Sequence, residues 1–186
     1  MRTTMTRSND SLSAPFAIAP HVVDPTGSIA AWWTDPPGVL VQLTYPTRAT
    51  TEIAGWLAGP AFDQLLGRFP GASDLRVILD MRQMTGRSAT ARSLLMQRAK
   101  TVVGRVTHVV LLPSVLLGPA YIKVVETAAL VLRAGGLRVD IDASLDRVIA
   151  RHGVRAAAAN APDANAEFMS EPRPVVRGTS RDLSRS

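Results

Sequence analysis

Apolar and polar positions along the chain fall into two alternating rhythms. "SIAAWW" (28–33) and "GVLVQLTY" (38–45) are short β-rich runs on either side of "TDPPG", a pattern that predicts a β-hairpin. "TTEIAGWLAGPAFDQLLGRF" (50–69) is helical in character but interrupted at Gly59-Pro60. Proline fits best in a first helical turn, so 60–68 is the firmer half. "LRVILD" (75–80) is too short for a buried helix and reads as a strand. "RSATARSLLMQRAKTVV" (87–103) carries apolar residues at 91, 95, 99 and 102, a helical stripe that stops at Gly104.

The second half repeats the rhythm. "RVTHVVLLP" (105–113) is a β-branched strand closed by proline. "GPAYIKVVETAALVLRAGG" (118–136) has Pro119 near its start and two glycines at its end, the usual helix punctuation. It is apolar almost all round, so a well-buried helix is expected. "LRVDIDA" (137–143) alternates as a strand, and "SLDRVIARHG" (144–153) is a short helix with Ser144 as N-cap and Gly153 as stop. A hairpin followed by β-α-β-α-β-α elements predicts an α/β domain. Its five-stranded mixed sheet, joined by right-handed crossovers, has helices packed on it. The expected organisation is a flexible N-terminal segment (1–27), an α/β domain (28–153) and a disordered C-terminal tail (154–186). The tail is rich in Ala, Pro and Ser and too poor in apolar bulk to offset ordering entropy.

Composition then narrows the chemistry. No cysteine is present among the 186 residues, so disulfides and thiolate metal sites are excluded. His21, His108 and His152 stand far apart in sequence with no ligand-pair spacing, and neither a metal nor a cofactor is expected. The first twenty residues lack a signal-peptide core. The longest apolar candidate, "VVLLPSVLLGPA" (109–120), is short of a bilayer span and holds two prolines. A cytoplasmic protein without a membrane span is the expectation. The formal net charge is +6, and all but two of the 21 basic residues, Lys100 and Lys123, are arginine.

Charge and hydroxyl groups concentrate in one stretch. No acidic residue falls between Asp80 and Glu126, while Arg82, Arg87, Arg92, Arg98, Lys100, Arg105 and Lys123 all do. Arg82, Thr85, Arg87, Arg92, Met96 and Lys100 are therefore candidates for a docking face toward an acidic protein partner. Basic residues without interleaved aromatics argue against nucleic acid. Ser88 or Thr85 at the start of helix 87–103 suits capping, and Arg87 and Arg92 could add charge to an anion there. One glycine is too few for a phosphate-cradling loop. Asp80, Ser114, Asp140 and Asp142 lie near the carboxyl ends of expected strands, where open α/β sheets bind ligands. They support the alternative of a small-ligand or lipid-type pocket. No nucleophile or histidine accompanies them at a usable spacing, so no enzyme is expected. His108 reads as a core or edge histidine. Trp32 and Trp33 point to opposite faces, so one is either exposed as a binding patch or packed under the N-terminal segment.

Val77-Ile78-Leu79-Asp80-Met81, with Met84-Thr85 and the helix that follows, resembles the STAS or anti-sigma-factor-antagonist-like family. The resemblance covers about residues 29 to 152. It implies a non-enzymatic regulatory or scaffolding domain acting by protein–protein contact. The contact surface would be the loop after the third strand and the helix after it, and the partner a kinase-like regulator or other signalling protein. A homo-oligomer is a variant of the same reading. The family's D-S-S-G positions fall on Ser88, Ala89, Thr90 and Ala91, so alanine stands where the family's phosphorylated serine would be. Only a shifted register would leave Ser88 or Thr90 as a phosphosite.

Overall fold

Strand β2 (Ile29–Asp35) and strand β3 (Gly38–Leu43) form the expected antiparallel hairpin around Pro36-Pro37. Both strands are buried on both faces, and that double burial sets the architecture: each side of the sheet must be covered. The computed structural model describes residues 14–158, and the remainder of the expected terminal segments lies outside the described residues. From β3 the chain runs through three parallel neighbours, β5 (Leu75–Asp80), β7 (Val106–Leu112) and β8 (Arg138–Ile141). These are the five strands expected from the sequence, in one mixed α/β sheet.

That sheet has seven strands rather than five. β1 (Val22–Val23) and β9 (Arg155–Ala156) both pair antiparallel with the free edge of β2, at Ala30–Ala31 and at Thr34–Asp35 respectively. Ordered structure therefore extends past both expected domain boundaries. Two-residue edge strands are held by backbone hydrogen bonds and need no apolar alternation, so they leave no pattern to read. β4 (Thr47–Ala49) and β6 (Met84–Arg87) form a separate two-stranded parallel pair, also unanticipated for the same reason.

One face of the sheet is covered by four helical segments. α1 (Thr51–Trp56) continues through one turn of π-helix (Leu57–Ala61) into α2 (Phe62–Arg68). The expected break at Gly59-Pro60 is thus a widened turn. It accommodates a proline that has no N–H and whose ring would clash with the carbonyl one turn back. α3 (Ala89–Val102) and α4 (Gly118–Ala134) complete this layer, which packs over Ile29, Ala31, Trp33, Val77 and Val139. The other face carries α5 (Leu145–His152), whose Leu145 and Val148 meet Leu40, Ile78 and Val110.

Trp32 and Trp33 are both buried. Trp33 lies in the first core, while Trp32 sits on the α5 face under Phe16, ring centroids 6.3 Å apart, and donates Nε1–H to the Ile18 carbonyl at 3.1 Å. The N-terminal segment thus covers the part of this face that α5 does not reach. His21 fixes the junction: its Nδ1 accepts from the Trp33 amide at 3.2 Å and Nε2 lies 3.2 Å from the Ala157 carbonyl.

α4 departs from expectation. Of its residues only Val125 and Ala129 are fully buried, while Leu130 and Val131 are 62% and 55% exposed. The short 3-10 turn before it, Val115–Leu117, exposes Val115 and Leu116 further still, at 73% and 60%. The helix lies over an edge of the sheet at β8 and, among the described residues, has no neighbour on its outer side to use its apolar residues. With that turn, Val115–Ala134 is long and apolar enough by length and composition to cross a bilayer, although Pro119, Lys123 and Glu126 interrupt its apolar run.

Candidate functional site

The loop between β5 and α3 turns its first arginine inward. Asp80 is 1% exposed at the end of β5, and Arg82 pairs with both of its carboxylate oxygens at 2.8 Å. The Arg82 amide and the Gln42 side-chain amide add donors at 3.2 and 3.1 Å. This pairing holds the Arg82 guanidinium above its usual range, chiefly through the hydrogen bond to Asp80. Asp80 is thereby a closed internal anchor for the loop rather than an open carboxylate. Arg82 belongs to that anchor and not to the outer face of α3.

Past the anchor the loop emerges. Met84 plugs the core while Thr85 faces solvent from β6. Arg87 stacks over the Tyr121 ring of α4, its guanidinium carbon 5.4 Å from the centroid. Burial raises the Tyr121 phenol, and the Arg87 charge acts against that rise. Ser88 is the N-cap of α3: its hydroxyl accepts from the Ala91 amide at 2.9 Å. Thr90 is exposed one residue into the helix. A shallow depression of about 230 Å³ lies between Arg87, Ser88, Ala89 and Arg92.

On α3, Arg92 and Lys100 are exposed and Met96 is half-buried between them, at one helical face by their four-residue spacing. Arg98 is turned away toward α2, where it pairs with Asp63 and stacks over Phe62 at 5.9 Å. The turn before α4 packs against β6, so the apolar Val115–Leu116 corner adjoins the loop. Arg87 and Arg92 line one depression, and Arg87 reaches α4 through the Tyr121 ring, while Met96 and Lys100 lie further along α3. The α4 contribution was missed at the sequence level because an all-round apolar helix reads as core.

The carboxyl-end residues are each engaged locally. Ser114 is buried and accepts from the Leu116 amide at 3.2 Å, shaping the turn into α4. Asp142 accepts from the Ser144 amide and from Arg147 Nε, both at 3.0 Å, with Arg151 3.4 Å away. The Ser144 amide above all, then the two arginines, hold the Asp142 carboxyl below its usual range.

Asp140, by contrast, joins a group on the α5 face of the sheet. His108 Nε2 lies 2.8 Å from Asp140 Oδ2, and His152, from the last turn of α5, brings its Nε2 to 3.9 Å from the same oxygen. The two imidazoles meet edge to face with centroids 5.0 Å apart. Burial, with the nearby Arg76 charge acting in the same direction, lowers both histidines, against the opposing pull of Asp140. Sequence spacing gave no hint of this trio, because a parallel crossover and a whole helix separate its members.

Comparison with protein-family models, curated proteins and solved structures gives no match.

Proposed function

We propose that the protein is a non-enzymatic regulatory or scaffolding module of the STAS-like kind. It docks an acidic protein partner on β6, the outer face of α3 and the exposed side of α4. The observation that carries this reading is the Arg87–Tyr121 stack, which links two features. Large apolar side chains stand exposed along Val115–Leu116, Val124 and Leu130–Val131. Beyond Arg87 lies α3, on which Arg92 and Lys100 are exposed and free of acidic neighbours in sequence from Asp80 to Glu126. Contiguous exposed apolar surface rimmed by charge is characteristic of contact sites. The basic rim selects a partner of opposite sign, and two copies of the same face would bring arginine against arginine. Glu126 and Thr127 interrupt the apolar positions on the exposed side of α4, which suits a structured protein better than an anionic bilayer. The inward pairing of Asp80 with Arg82 and Gln42 leaves that carboxylate no free valence for a ligand. The capping role of Ser88 agrees with a surface that does not depend on phosphate at this turn.

A photo-crosslinking side chain at position 92 or 131, in cells of the native host, is expected to trap one and the same acidic protein. Position 150, exposed on α5 at the far face, should not. An Arg87→Glu, Arg92→Glu, Lys100→Glu triple variant that remains folded should lose the adduct. Equal trapping from position 150, or undiminished trapping by the folded triple variant, overturns the reading. So would stoichiometric recruitment to anionic vesicles with no protein adduct, which would assign the face to lipid.

A further inference from the structure

We propose that His108, Asp140 and His152 form a binding site for a divalent transition-metal ion of the zinc class, clamping the end of α5 onto β7 and β8. The three residues each offer one ligand atom, and all three atoms lie within 4.8 Å of one another. Zinc bound to imidazole nitrogen and carboxylate oxygen at roughly 2.0–2.2 Å in tetrahedral geometry sets its ligands about 3.3 Å apart. The observed separations from Asp140 Oδ2, 2.8 Å to His108 and 3.9 Å to His152, straddle that distance. An opening of about half an ångström on one side and a similar closing on the other brings both ligands to bonding range. His108 is fixed in a central strand. Side-chain torsions of His152, at a helix end, supply the closing.

A second observation points independently to a ligand. The His152 side chain is 8% exposed, and its Nε2 is buried without a hydrogen-bond partner while directed at this cluster. A buried polar nitrogen left unpaired is costly, because it gives up its hydrogen bond to water and gains none. Coordination would satisfy it. The site is also reachable, because the Asp140 side chain is 30% exposed while both imidazoles are shielded. Three protein ligands would leave a fourth position facing solvent for water.

The charges around the site define what it would hold. Arg76 donates Nη1–H to the His152 carbonyl at 3.1 Å, and Arg138 Nε lies 3.9 Å from the shared Asp140 oxygen. Arg138 is well exposed and can turn away. Arg76 stays, held by its hydrogen bond to the His152 carbonyl. Its charge also opposes a cation, so only an ion that bonds strongly to imidazole suits the site. Two nitrogens and one carboxylate select zinc, cobalt or nickel over magnesium and calcium.

The test uses untagged full-length protein, freed of metal by chelation and titrated with zinc chloride in a calorimeter. Cobalt serves as a spectroscopic probe. Binding of one zinc per chain is expected, with a rise in melting temperature and, for cobalt, the visible absorption of a four-coordinate ion. His152→Gln and Asp140→Asn should each weaken zinc binding by at least about tenfold. His21→Gln, at the far edge of the sheet, should leave it unchanged. His108 is not substituted, since its place in the core could unfold the chain. Absence of heat and of thermal shift with zinc overturns the proposal. Zinc binding undiminished in the folded His152→Gln variant overturns it equally.

Discussion

Asp24 is a carboxylate whose whole charge is used locally. It accepts from the Ile29 amide at 2.6 Å, the Thr26 amide at 3.1 Å and the Ser28 hydroxyl at 3.2 Å, with the Thr26 hydroxyl closer still. Burial alone would raise its pKa, but the donors outweigh it, and the carboxyl sits below its ordinary value. The folded chain therefore binds fewer protons at Asp24 than the unfolded chain does near pH 4. The resulting stability is present above the unfolded pKa of about 3.9 and is lost as pH falls through the lower folded value. Asp24→Asn should cost about 1–2 kcal/mol at pH 7 and progressively less below about pH 4, which urea unfolding across pH would show. A constant cost at every pH would mean that the donors do not favour the charged form. Local hydrogen-bond chemistry of this kind was legible from sequence at Ser144 and Gly153, where cap and stop lie a few residues from what they serve. The His108–Asp140 contact, 32 residues apart, was not, because it exists only once the sheet has set its register.

At the scale of elements, the strands were legible wherever burial demanded a continuous apolar run, and helix ends wherever glycine, proline or serine marked them. The edge strands β1, β4, β6 and β9 were not, since pairing at an edge is a backbone event. Gly38 shows how tightly that backbone packs. It opens β3 directly opposite Arg76 in parallel register, and a Cβ there would overlap the Arg76 carbonyl oxygen. The neighbour is main chain and cannot rotate away, so the strands themselves would have to separate. Gly38→Ala is therefore expected to destabilise the fold by about 1–3 kcal/mol, read as a lower denaturant midpoint at unchanged slope. Gly55→Ala, in α1 with open space around it, should be neutral or stabilising by up to about 1 kcal/mol. Equal midpoints for the two variants would show that β3 and β5 tolerate separation there. α4 was misread for a different physical reason. Its composition fits a helix buried on all sides and a helix half-buried beneath a partner equally well, and only the placement over β8 decides between them.

The whole molecule divides its labour between the two faces of the sheet. The α5 face is finished by α5 and the segment around Phe16, whereas the α3–α4 face ends in apolar residues with a basic rim. If that face docks an acidic protein, its two components should act on different steps of binding. Rim charges act at a distance and speed encounter, so their effect falls as salt shortens the Debye length from about 10 Å at 0.1 M to about 3 Å at 1 M. Apolar side chains act only after contact, and removing them lets the complex come apart sooner. Arg92→Glu with Lys100→Glu is accordingly expected to slow association about tenfold at low salt, with little effect on dissociation. Leu130→Ser with Val131→Ser should speed dissociation and leave association nearly constant. Surface-resonance kinetics with the trapped partner at 50 mM and 500 mM salt separate the two steps. A large effect of both pairs on dissociation alone would mean that the arginine and lysine are desolvated within the interface rather than placed at its rim. The chain's positive balance would then serve solubility and not steering.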